Sequence, residues 1–124
     1  MDKHKKNPLY KSFGYAFDGI WTVVKKERNM KIHCLAVVVV IAAGCFFKLP
    51  LYKWCICFLL FGLILALEMV NTAVEAVVDL VTEEKNPLAK LAKDAAAGAV
   101  LIAAIMAVVI ACLMFIPEIM EILK

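Results

Sequence analysis

From Trp54 to Leu67 the chain carries no charged residue, and the stretch that follows then carries Glu68, Glu75 and Asp79. An apolar run of this kind needs an apolar environment on every side, and the acids that end it need a polar one. If the stretch is helical, about 100° per residue brings Glu68, Glu75 and Asp79 within roughly 40° of one another, with Asn71 and Thr72 flanking them. Val70, Ala73 and Val77 fall on the opposite face. Three acids on one stripe repel unless positive charge lies between them. An acidic stripe at the end of a membrane-type helix marks a functional site.

The rest of the chain has the same character. Hydrophobic residues make up 65% of it, well above the roughly 45–50% of soluble domains. A single integral membrane domain spanning 1–124 is therefore expected, with no nucleic-acid partner. The formal charge of +3 hides an asymmetry: most of the Lys and Arg residues precede Ile32, three more lie between Lys85 and Lys93, and Lys48, Lys53 and Lys124 complete the set. The first apolar run starts late and no small-residue cleavage site follows it, which argues against a secretory signal peptide. Cys34, Cys45, Cys55, Cys57 and Cys112 all sit in apolar runs without metal-binding spacing, and read as buried thiols.

Four helices are expected. In residues 8–30, Tyr10, Phe13, Phe17, Ile20 and Val24 recur every three or four positions while Lys11, Asp18, Lys25 and Lys26 fall elsewhere, the pattern of an amphipathic helix lying in the membrane interface. Residues 31–48 form a first span, short of the usual ~20 residues unless it reaches back through Glu27. Residues 51–81 form a second span, roughly 45 Å long, so its acidic end emerges from a ~30 Å hydrocarbon core. A polar turn follows. Residues 88–116 form the third span, with small residues from Ala95 to Ala99 for close helix approach and Pro117 closing it. The basic residues orient the protein with its N-terminus and the 82–93 turn in the cytoplasm. Glu27, Glu75, Asp79, Lys93 and Asp94 then meet at one membrane boundary.

Carboxylates from different helices suit Mg²⁺, which bridges one or two of them to substrate phosphates, and Lys93 offers a point charge for phosphate. Glu68, held deeper, can accept a proton from a hydroxyl. These parts could run phosphoryl transfer from a nucleotide to a lipid hydroxyl, although no glycine-rich phosphate loop is present. Two other readings stay open on the residues alone: acids paired with Lys and Arg to hold a bundle together, and a cation pathway. His33, a lone histidine at the start of a span, reads as a headgroup or backbone hydrogen-bonder rather than a metal ligand. Trp21 and Trp54 read as interface anchors.

The motif Glu68-x-x-Asn71-Thr72-Ala73-x-Glu75-x-x-x-Asp79, with Ala92-Lys93-Asp94 and a small-residue run after it, resembles the prokaryotic diacylglycerol kinase/undecaprenol kinase family. The resemblance covers about Tyr10 to Ile116, and Glu27-Arg28-Asn29-Met30-Lys31-Ile32-His33 is similar to the Gram-positive branch, whose better-known members phosphorylate undecaprenol. It implies an all-α, homotrimeric kinase of the cell membrane, with a surface helix and three spans per protomer and active sites shared between neighbours. It also implies ATP as donor, Mg²⁺ as cofactor and a lipid alcohol as acceptor: undecaprenol, or alternatively diacylglycerol giving phosphatidic acid. By the same resemblance Glu68 is the general base and Asn71 orients it. Glu27 and Glu75 hold the metal. Lys93 and Asp94 contact the nucleotide, with Tyr15 and the Glu84, Lys85 and Asn86 turn beside it. Lys11 and Lys31 serve the lipid substrate; Pro8 stands about where the family often carries a basic residue. Asp79 matches the motif without an assigned role.

Overall fold

A computed structural model describes residues 6–124; Lys3 and Lys5 of the basic N-terminal segment lie outside them. Four helices follow in order: α1 (Leu9–Lys26), α2 (Arg28–Phe47), α3 (Leu51–Val81) and α4 (Pro87–Ile122). Among the described residues there is no strand. α2, α3 and α4 are each long and apolar enough to cross a membrane, as the composition requires, and the chain is a multi-pass membrane protein.

The surface helix and first span divide at Glu27, not at residues 30 and 31 as expected. The Glu27 backbone is extended (φ −94°, ψ 120°), its N–H closes α1 on the Val23 carbonyl, and its own carbonyl accepts from the Lys31 N–H to open α2. One residue thus ends one helix and starts the next, and the chain turns there from interface to span. Starting at Arg28 gives α2 20 residues, about 30 Å, so the span that looked too short reaches full length by taking in its charged flank.

Lys48 ends α2 in the left-handed conformation (φ 54°). Its N–H bonds to the Cys45 carbonyl and that of Leu49 to the Gly44 carbonyl, a C-terminal cap of the Schellman type. Pro50 then leads into α3, which runs to Val81 as expected. At the other end, the Asn86 side chain caps α4 by accepting from the Leu88 and Ala89 N–H groups at 2.8 and 3.4 Å, with Pro87 in the first turn, where its missing N–H costs nothing.

Pro117 does not close α4; the helix continues to Ile122. A proline inside a helix forfeits one backbone bond, at about 3 kcal/mol in water, but spans tolerate it where neighbouring groups support the backbone. Here Glu118, the residue after the proline, accepts from Lys53 at the start of α3 at 3.2 Å. That contact fastens the last turns of α4 to α3, while Met114 and Phe115 just before the proline pack with Phe47, Leu49, Trp54, Cys57 and Phe61.

This cluster is the apolar core, and it lies at the end of the bundle opposite the acids. Elsewhere the chain buries little: most large apolar side chains of the spans are exposed, an apolar surface of the kind that lipid covers. The cysteines follow suit. All five are free; Cys57 is buried as expected, Cys34 half so, and Cys45, Cys55 and Cys112 lie on the apolar exterior, because in lipid a thiol gains little by turning inward.

Candidate active site

The acidic stripe of α3 is graded by depth. Among the described residues Glu68 is the most buried large side chain at 1% exposure, Glu75 is half-buried, and Asp79 is exposed. The gradient follows from the helix: one stripe points the same way throughout, and successive turns carry it from beneath α4 out to the polar turn.

Glu68 and Asn71 line a cleft of about 320 Å³ between α2, α3 and α4, with Asn29, Ile32 and His33 on one side and Ala97, Val100, Leu101 and Ala104 on the other. The small residues of α4 therefore do more than permit close approach, since they leave the space in front of the carboxylate open. The Thr72 hydroxyl donates back to the Glu68 carbonyl at 3.1 Å, and the Asn71 Nδ2 donates to Glu75 Oε1 at 3.5 Å. Glu68 Oε2 and Asn71 Oδ1 are buried without a hydrogen-bond partner in the chain. Unsatisfied buried oxygens are costly, and both face a cavity in which a donor such as a hydroxyl would satisfy them.

His33 stands against the carboxylate, its Nε2 3.4 Å from Glu68 Oε2. The separation is an ion-pair distance without the alignment of a directed hydrogen bond. Read from the sequence, His33 is a headgroup or backbone hydrogen-bonder; the structure turns it inward, against Glu68. A usable signal was present, because His33 is the sole ionisable residue between Lys31 and Lys48 apart from Cys34 and Cys45, and an ionisable group within a span faces the bundle interior.

Glu27, at the α1–α2 break, and Glu75 each lie near enough to Glu68 to act on it electrostatically. Among the described residues no three His, Cys, Asp or Glu side chains are close enough to form a protein-only metal cage. Neither Glu27 nor Glu75 lines the Glu68 cleft, although carboxylates are the donors that Mg²⁺ takes when phosphates and water complete its shell.

A second cleft, of about 700 Å³, opens at the α3–α4 turn and brings together Asp79, Glu84, Lys85, Asn86, Lys93 and Asp94. Four of its charges are paired, Lys93 with Asp79 and Lys90 with Asp94, while Glu83, Glu84 and Lys85 also line it. Asp79 thereby gains a definite place, as the ion-pair partner of Lys93. The Asn86 side-chain oxygen is occupied by the α4 cap. Tyr15, Lys11 and Lys31 are exposed on α1 and α2, and none of the three lines either cleft.

Comparison with known proteins bears on this arrangement. A family model described as prokaryotic diacylglycerol kinase matches residues 14–115. An undecaprenol kinase of Bacillus subtilis is 43% identical over 94% of each chain. A diacylglycerol kinase of Synechocystis is 40% identical over 93% of this chain and 66% of its own. That of Escherichia coli K12 is 29% identical over 86% of this chain and 87% of its own.

Proposed function

Since the chain belongs to the prokaryotic diacylglycerol kinase family and is a membrane lipid kinase with ATP as donor, we propose that its acceptor is the hydroxyl of undecaprenol. The observation carrying this choice is the 43% identity, over nearly the full length of both chains, to a relative named undecaprenol kinase. Diacylglycerol is the second reading, favoured by the Synechocystis relative.

In the proposed reaction the lipid hydroxyl enters the cleft at Glu68. Its oxygen forms a bond to the γ-phosphorus, the bond from that phosphorus to the β–γ bridging oxygen breaks, and ADP leaves. The hydroxyl proton passes to the Glu68 carboxylate, whose Oε2, buried without a directed hydrogen bond, supports that role. Asn71 orients the reacting groups through its bond to Glu75. Glu27 and Glu75 would hold Mg²⁺, which when bound neutralises phosphate charge. Lys93, Asp94 and the 84–86 turn receive the nucleotide, Tyr15 approaches it from α1, and Lys11 and Lys31 meet the lipid substrate at the interface. Positioning and charge neutralisation do most of the work in such transfers.

The same reading has the chain act as a homotrimer with its N-terminus and active sites on the cytoplasmic side. The exposed apolar surface of the single chain and the openness of both clefts support an assembly in which neighbours complete the site. The distribution of Lys and Arg supports the orientation.

The test is side-by-side turnover. Purified protein in mixed micelles, given ATP, Mg²⁺ and either undecaprenol or diacylglycerol, should transfer labelled phosphate to undecaprenol at the higher kcat/KM. A preference for diacylglycerol would overturn the acceptor assignment, and transfer to neither would overturn the reaction.

A further inference from the structure

His33 takes no part in the scheme above, yet its geometry ties it to Glu68. A buried carboxylate needs a donor or a counter-charge to stay ionised and aimed. Around Glu68 the other nearby charges are Glu27 and Glu75, which have the same sign. Lys93 is committed to Asp79, Lys90 to Asp94 and Lys53 to Glu118. Among the described residues, the one basic side chain within ion-pair distance of Glu68 is His33.

The imidazole has little else to do. Its far side borders an apolar cleft of about 90 Å³ that runs between α2, α3 and α4 toward Met114 and Phe115, where the Cys57 thiol is the other titratable group. α4 presents it with no charged or titratable residue in either cleft, and α1 contributes to neither. From α3 it meets Glu68, and on its own helix the charges are Arg28 and Lys31, with Glu27 at the break before it. His33 therefore stands where the polar and apolar clefts join, with Glu68 as its polar partner.

We propose that His33 is the positioning residue of the catalytic base, its imidazole N–H holding the Glu68 carboxylate aimed into the cleft for the incoming lipid hydroxyl. This rests on the lipid-kinase reading of Glu68. Only the imidazole tautomer protonated on Nε2, or the imidazolium, can donate toward Oε2.

The experiment compares wild type, His33→Leu and His33→Gln in mixed micelles with ATP, Mg²⁺ and the lipid alcohol that wild type phosphorylates. His33→Leu keeps the volume but removes the donor, and kcat should fall about tenfold or more while KM for ATP stays within about twofold, a binding change too small to account for the loss. His33→Gln restores an N–H at similar reach and should recover most of the lost kcat. Undiminished turnover in His33→Leu, or no recovery in His33→Gln, would overturn the proposal. A readout independent of activity covers poor folding of the leucine variant. The chain has two histidines, His4 and His33, so in a His4→Asn background the imidazole nitrogen resonances report His33 alone. They should shift on Glu68→Gln; unchanged resonances would also overturn the proposal. If wild type phosphorylates no lipid, the kinase reading fails while the resonance experiment still decides the pairing.

Discussion

Gly44→Ala tests the packing that holds the bundle's far end and thereby fixes the angle between α2 and α3. A Cβ at Gly44 would lie 2.6 and 2.9 Å from two ring carbons of Trp54 and 3.1 Å from a methyl of Leu49. Comfortable carbon–carbon contact is about 3.5–4.0 Å, so the indole would have to retreat by close to 1 Å. Its retreat is opposed by stacking on Phe58 at 5.9 Å between centroids and by packing against the core of Leu49, Cys57 and Met114. Overpacking of this kind costs about 1–3 kcal/mol. Alanine recovers up to about 1 kcal/mol of helix propensity, less in the final turn of α2, so a net destabilisation of about 1–2 kcal/mol is expected. Unfolding in mixed micelles with increasing SDS, followed by circular dichroism, measures it. In a Trp54→Leu background the ring is gone, and the same substitution should become neutral or stabilising by up to about 1 kcal/mol. Equal or greater stability of Gly44→Ala in the wild-type background, or the same loss in both, would refute the steric account.

Three further expectations concern the site. Glu68→Gln should lower kcat by about a hundredfold or more with little change in KM for ATP; lost affinity at an intact rate would assign Glu68 to binding instead. Glu75→Gln removes a proposed metal ligand and should raise the Mg²⁺ concentration needed for half-maximal activity, so an unchanged Mg²⁺ titration would refute that role. Asp79→Asn releases Lys93 from an exposed pair of a kind worth at most about 1 kcal/mol, and KM for ATP should change by no more than about fivefold. A larger effect would mean that Asp79 itself touches the nucleotide.

The spans, the α3 limits and the ranking of Glu68, Glu75 and Asp79 by depth could all be read from the chain, because each depends on a local period or on the length of an apolar run. One helix determines which of its residues share a stripe, and the position of that stripe relative to the polar turn determines how deep each residue lies. The Glu84–Asn86 turn and Lys93 were legible for the same reason: short connections keep sequence neighbours together in space.

What the chain alone did not reveal depends on how one helix is rotated and slid against another. Local periodicity carries no record of that. The imidazole of His33 meets Glu68 because α2 turns that face inward, the ring of Trp54 fills the space Gly44 leaves, and the Lys53–Glu118 contact ties α3 to the turns of α4 beyond a proline that would otherwise read as its end. The α1–α2 break shifted to Glu27 for a related reason, since the position of a helix break is set by where the chain must leave the interface. In the α3 stripe both contributions meet: the sequence alone determined that the acids line up, and the packing of α2 and α4 against α3 decided that Glu68 is buried with a histidine beside it and a cleft in front.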